Sequence, residues 1–282
     1  MPWFDMAVPV KIVPAFSDRF MDDADVVMAN HWPTAFSVAK LSPSKGRKFY
    51  FIRDTEFDER HREYAERSYN LPLSIIVTVP WLKDHLEQEL DVKVAGIVPN
   101  GMNMDQFGVP EKKYNDVPVI CMLYYDHPVK GMSDGFEAIA AVRERHPDVR
   151  VVLFGWNRPK TLPFEAEFHL RPVKEELRAI YARSDIFLSP SLQEGWNNPP
   201  LEAMAAGCAV VTTNVGGIPY RTIPGETALV VDPGDVEGMI RSMNGLIENP
   251  ARLRELGCRG HEHLKQFTWE ESASELARLL AE

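Results

Sequence analysis

Short apolar runs alternate with amphipathic stretches along almost the whole chain, and that alternation limits the fold more than any other feature. Strands covered on both faces read as continuous apolar runs, and joining them in parallel requires crossover helices. Up to residue 98 such runs fall at 10–13, 25–29, 48–52, 75–79 and 94–98, with amphipathic segments at 34–41 and 81–90. The stretch 103–118 holds Gly108, Pro110 and Pro118 around a charged cluster at 111–113, and it interrupts the rhythm as an interdomain connection does. The rhythm then restarts, with strands at 119–124, 149–154 (ending in Gly155), 185–188, 209–212 and 228–231. Helices are expected at 131–146, 174–183, 199–206, 236–247, 250–265 and 269–280. The expected class is α/β with parallel sheets. Ligands of open parallel sheets sit at the carboxyl ends of strands, so the loops after Tyr124, Phe154, Leu188 and Thr212 are where a site should lie.

With 282 residues the chain can bury one large core or two ordinary ones. Its net charge of −10, without a dense Lys/Arg block, argues against nucleic acid as a partner. The three cysteines, Cys121, Cys208 and Cys258, form no Cys-x-x-Cys pair, and two lie in apolar runs, as small buried residues of a reducing compartment do. No run approaches a membrane span, and the first residues carry no basic stretch of the kind that opens a signal peptide.

The segment 189–207, SPSLQEGWNNPPLEAMAAG, carries the chemistry. A buried strand ends in a loop of turn and polar residues, and the loop feeds a helix whose first turn holds Pro199 and Pro200, where a missing N–H costs little. Backbone amides near Trp196, Asn197 and Asn198, with the positive end of the helix dipole, suit a diphosphate. Glu202 is expected in the first helical turn, where its two oxygens can accept from a ribose diol. Glu194, eight positions earlier, can accept from sugar hydroxyls. An acid near a helix start also has a plain electrostatic use, and it is the lead-in and the later Gly216-Gly217 that favour the binding role.

The run EGWNNPPLEAMAAGCAVVTTNVGGIP resembles the donor-binding signature of retaining glycosyltransferases of family GT4, which share the GT-B fold. The resemblance implies two Rossmann-like domains: residues 1–108 as an acceptor-side domain, 109–118 as linker, 119–267 as the donor domain and 268–282 as a helix crossing back to the first. It assigns Glu194 to the donor sugar and Glu202 to the ribose, and places Gly195, Trp196, Asn197, Asn198, Gly155, Gly216 and Gly217 around the donor. The family's P-N-G turn matches Pro99-Asn100-Gly101, with Asp105 and Phe107 following, which makes Asn100 and Gly101 acceptor-side candidates. The wording at 24–41 and 46–54 resembles bacterial transferases of cell-surface polysaccharides.

The sequence also departs from that family. Members carry an Arg and a Lys after the first strand of the donor domain; here Lys130 is present but Tyr124 or Tyr125 stands for the Arg, so Lys130, Tyr125 and His127 are left to face the diphosphate. Where a His often ends the strand at 48–52, this chain has Arg53, either a phosphate or acceptor contact or a surface ion-pair partner; His31 is the nearby alternative. Tyr220 stands where Glu often follows G-G-I-P. Nothing before residue 10 supplies the strand, Gly-rich loop and helix that open the usual first domain, so that domain is expected to be shortened. Asp23-Ala-Asp25 spells the D-x-D metal signature of a different transferase fold and is set aside, as is His261-Glu-His263, whose imidazoles fall on different helix faces. Trp3, Trp32 and Trp81 are core residues or stacking faces for sugars.

The resemblance thus implies metal-independent transfer of a sugar, with retention, from a UDP-, GDP- or dTDP-sugar to a carbohydrate or lipid-linked glycan hydroxyl. It implies no cofactor, a cytoplasmic or inner-membrane-peripheral location, and catalytic roles for Glu194, Lys130 and Arg53. A nucleotide-sugar-binding accessory subunit is the alternative; a protein partner or self-association would then cover the shortened first domain.

Overall fold

The computed structural model describes residues 8–56, 59–109 and 111–282; Trp3 lies outside them. The chain forms two compact units, one built from the described residues up to Gly101 together with Trp269–Glu282, the other from Met102–Thr268.

The first unit carries a four-stranded parallel sheet in the order β1-β2-β3-β4: β1 (Val26–Ala29), β2 (Arg47–Ile52), β3 (Ser74–Val77) and β4 (Val94–Ile97). Helices α1 (Trp32–Ala39), α2 (Glu59–Tyr69) and α3 (Pro80–Gln88) connect successive strands. The expected strand at 10–13 is absent. Pro9 and Pro14 bracket it and cannot donate to a ladder, and Val10 and Ile12 stand 61% and 95% exposed, so no sheet face receives them.

The second unit opens with the one-turn helix α4 (Met104–Phe107), capped by the Asn103 side chain accepting from the Gln106 N–H. Six parallel strands follow: β5 (Val119–Tyr124), β6 (Arg150–Gly155), β7 (Glu167–Leu170), β8 (Ile186–Ser189), β9 (Ala209–Thr213) and β10 (Leu229–Val231). Interleaved are α5 (Met132–Arg145), α6 (Lys174–Arg183), α7 (Asn198–Ala205), the short α8 (Ile218–Arg221), α9 (Val236–Glu248) and α10 (Pro250–Leu264). The sheet order is β10-β9-β8-β5-β6-β7. Ile120, Met122, Leu153, Ile186, Leu188 and Val211 are fully buried in its core, as strands covered on both faces require.

The residues expected to link two domains belong to the second unit. Lys112 Nζ donates to the carbonyls of Tyr181, Ala182 and Ser184, satisfying the last turn of α6. The fully buried Asp185 carboxylate accepts from the Asn115 N–H at 3.0 Å and the Val119 N–H at 2.7 Å, fastening the start of β5 beside β8. The boundary between the units falls between Gly101 and Met102.

The last helix, α11 (Trp269–Ala281), returns to the first unit, where Leu279 packs with Phe49, Ile76 and Val98.

Candidate functional site

In the second unit, β5 has β6 on one side and β8 on the other, so successive crossovers leave in opposite directions and a crevice opens at the carboxyl ends of β5 and β8. After β5 the chain makes a 3₁₀ turn, Pro128–Lys130, and enters α5 through Gly131 at φ 60°. A Cβ at Gly131 would lie 2.0 Å from the Pro190 carbonyl oxygen, so only glycine lets this loop touch the loop after β8. Backbone bonds fasten the two loops: the N–H groups of Leu192 and Gln193 both donate to the Val129 carbonyl, at 2.7 and 3.2 Å.

On that base Lys130 and Glu194 meet. Lys130 Nζ lies 2.8 Å from each Glu194 oxygen, and the Ser191 hydroxyl donates to Oε1 at 2.8 Å. Glu194's side chain is 10% exposed and that of Lys130 25%, so the pair is well shielded but reachable from the crevice. Tyr125, exposed, holds its ring 5.9 Å from Lys130 Nζ. His127 is spent locally: its Nδ1 accepts from the Val129 N–H at 3.4 Å and caps the 3₁₀ turn.

Glu202 is the fifth residue of α7, which starts at Asn198 behind Asn197 at φ 71°. It therefore sits in the second turn, not the first as the sequence suggests, because Asn197 and Asn198 rather than Pro199 open the helix. Its Oε2 accepts from the buried Tyr181 hydroxyl of α6 at 2.9 Å. Burial pushes the Glu202 carboxyl up to about 7, while the Tyr181 hydrogen bond pulls the other way. Tyr181 is itself locked edge-on against Phe107, Phe154 and Phe187.

The other expected donor residues divide by role. Gly195 and Asn197 are buried, and Asn197 Nδ2 donates to Ser189 Oγ at 3.2 Å; Asn198 is exposed. The Trp196 ring is buried rather than open to a ligand: Gly217 lies against it, its N–H donates to the Trp196 carbonyl at 2.7 Å, and the Arg221 guanidinium stands 5.1 Å from the ring centre. A Cβ at Gly216 or Gly217 would come within 2.9 and 2.8 Å of that carbonyl oxygen, so the Gly-Gly pair seats the turn on Trp196. Gly155 lets β6 approach β5, since a Cβ there would lie 2.1 Å from the Tyr124 carbonyl oxygen. Immediately after it Trp156 is half exposed, with the Arg171 guanidinium 5.3 Å from its ring centre. The sequence pattern singles out the lead-in that holds Ser191 but not Tyr181, Trp156 or Arg171; an aromatic directly after a strand-ending glycine is the available signal for Trp156.

In the first unit His31 and Arg53 line one cavity of about 210 Å³ at the carboxyl ends of β1 and β2, together with Trp32, Tyr50, Glu56 and Tyr69. Trp32 Nε1 donates to Glu56 at 2.9 Å, and burial raises both tyrosine hydroxyls above their ordinary range. Asn100 and Gly101 follow β4 and do not line this cavity.

Two units, each with a parallel sheet and helices, match the GT-B class of fold. Anabaena HepE in complex with UDP-glucose shares it, with a TM-score of 0.76 over 91% of this chain and 78% of that one at 16% identity. Residues 117–249, most of the second unit, match the family described as glycosyl transferases group 1. Among curated relatives, an MMP alpha-(1->4)-mannosyltransferase of Mycolicibacterium hassiacum is 30% identical over 64% of this chain and 46% of its own length. A D-inositol 3-phosphate glycosyltransferase of Corynebacterium diphtheriae is 26% identical over 79% of this chain and 59% of its own length. The chain thus spans about half the length of the curated relatives it matches. Among the described residues no helix is long and apolar enough to cross a membrane.

Proposed function

We propose that the chain transfers a sugar from a UDP-, GDP- or dTDP-linked donor to a hydroxyl acceptor with retention of configuration, in the synthesis of cell-surface polysaccharide or glycan on the cytoplasmic side. The observation that carries this reading is the Lys130–Glu194 pair across the carboxyl ends of β5 and β8. A diphosphate entering the crevice meets the Lys130 ammonium, which stabilises the charge that grows on the leaving group. Glu194 accepts from hydroxyls of the transferred sugar, and Glu202 accepts from the ribose with the oxygen that Tyr181 leaves open. Arg53 and His31 line the cavity of the first unit that would take the acceptor. The sharing of a fold with HepE, a protein bound to UDP-glucose, supports the class of donor.

The test is calorimetric titration with UDP-, GDP- and dTDP-sugars, repeated on Glu202→Ala. One donor should bind, and the variant should weaken it by about tenfold or more. Failure of every donor to bind, or an unchanged affinity in the variant, would sink the reading.

A second reading has its own observation. Val8, Val10 and Ile12 are 66%, 61% and 95% exposed, three apolar side chains close in sequence that no face of the first unit covers. A nucleotide-sugar-binding subunit that needs a partner for turnover would bind donor yet show no transfer or donor hydrolysis alone.

A further inference from the structure

We propose that Glu194 acts as a competing counter-ion, making the site prefer the sugar-bearing donor over the sugar-free nucleoside diphosphate that transfer leaves behind. The inference rests on reading the crevice as the donor site and concerns which form of the nucleotide it retains.

Positive charge is scarce on the two loops that meet at the crevice. The segments 124–130 and 189–198 contain a single Lys or Arg, Lys130. That one ammonium is already held at 2.8 Å by both oxygens of Glu194. His127 Nδ1 is engaged by the Val129 N–H, and Asp126 adds a further acid to the same loop. A diphosphate can gain Lys130 only by taking it, wholly or in part, from Glu194.

The consequence depends on what the nucleotide brings. Glu194 is 10% exposed, and its remaining donor among the described residues is the Ser191 hydroxyl, so losing Lys130 strands a shielded carboxylate. Removing one partner of a shielded pair is costly because the other charge keeps its desolvation penalty. A donor sugar supplies hydroxyls that replace the lost ammonium as donors to Glu194. A free nucleoside diphosphate supplies none, and its terminal phosphate carries additional negative charge toward the same carboxylate. Glu194 therefore penalises the product more than the substrate. Once the sugar has left, the carboxylate reclaims Lys130 and expels the diphosphate.

This predicts a gain of binding where loss of a contact residue ordinarily predicts a loss. In Glu194→Gln the side chain keeps its size but cannot neutralise Lys130. The experiment is calorimetry of UDP against UDP-glucose, with the GDP and dTDP pairs in parallel, on the full chain as wild type, E194Q and K130M. Thermal melting of each variant checks the fold.

Wild type should bind the sugar-linked form more tightly than the free diphosphate. E194Q should bind the free diphosphate about tenfold more tightly than wild type does, with the preference for the sugar-linked form abolished. K130M should weaken both forms. The proposal is overturned if folded E194Q binds the free diphosphate no better than wild type, or if wild type shows no preference for the sugar-linked form. If no nucleotide in any pair binds wild type, the donor reading falls and takes this proposal with it. Binding with the wrong response to E194Q removes only the counter-ion role.

Discussion

Glu202, the proposed ribose contact, carries a cost in stability. Its carboxyl has an ordinary value of 4.5 and is pushed by burial to about 7 in the folded chain. Between those values the native state holds more protons than the unfolded one. The folded state therefore suffers no penalty below pH 4.5, loses stability as pH rises toward 7, and stays penalised above it. The full penalty is about 3 kcal/mol. Glu202→Gln should thus stabilise the protein by up to about 3 kcal/mol at pH 8 and change little at pH 4. Urea unfolding of both proteins across this range checks it, and parallel pH profiles would count against the assignment. Tyr181→Phe removes the hydrogen bond that favours the ionised carboxyl, so it should move the inflection to higher pH. The same Glu202→Gln change should weaken nucleotide binding, an exchange of stability for function that is common at binding sites.

At the scale of elements, the site depends on how closely the loop after β5 approaches the loop after β8. Gly131→Ala places a methyl group 2.0 Å from the Pro190 carbonyl oxygen and forces φ 60° on a residue with a Cβ. The loops must separate, which should cost about 1–3 kcal/mol of stability. Nucleotide affinity should fall with it, although the substitution removes no side-chain contact. Melting and calorimetry on one sample read both effects, and an affinity loss without destabilisation would contradict the argument. Much of this frame was legible in the sequence. Continuous apolar runs give β5, β6, β8 and β9, the polar loop after β8 gives Glu194, and Lys130 is marked by the family resemblance alone. Tyr181 was not legible, because an aromatic on an amphipathic helix reads as core, and the direction of its hydroxyl is set by packing on Phe107, Phe154 and Phe187. Strand β7 was missed because Glu167–Leu170 lies at the sheet edge, where half-exposed residues give no apolar run. The spurious strand at 10–13 had the right residue types but prolines on both sides.

At the scale of the whole molecule, the chain leaves its first unit at Gly101 and returns to it at Trp269. The second unit is then an uninterrupted insertion, with its own sheet and core, while the first depends on a helix that follows the second unit in sequence. That helix is tightly fitted. A Cβ at Gly96 would lie 2.6 Å from the Leu279 methyl groups, and the Ser272 hydroxyl donates to the Pro99 carbonyl at 2.6 Å. Leu279 is 5% exposed among Phe49, Ile76 and Val98, so Leu279→Ala leaves a cavity where backbone and aromatic neighbours have little room to relax. Its cost should be about 2–4 kcal/mol, in line with other buried leucines. Because the contact belongs to one unit, the loss should be confined to it. Hydrogen exchange in the Leu279→Ala variant should show faster exchange in β1–β4 and unchanged protection in β5–β9. Nucleotide affinity, which the proposed donor site assigns to Lys130, Glu194 and Glu202 of the second unit, should stay within about twofold of wild type. A uniform loss of protection through both sheets would mean that the units unfold as one, and the insertion would then be a feature of the chain's path rather than of its energetics.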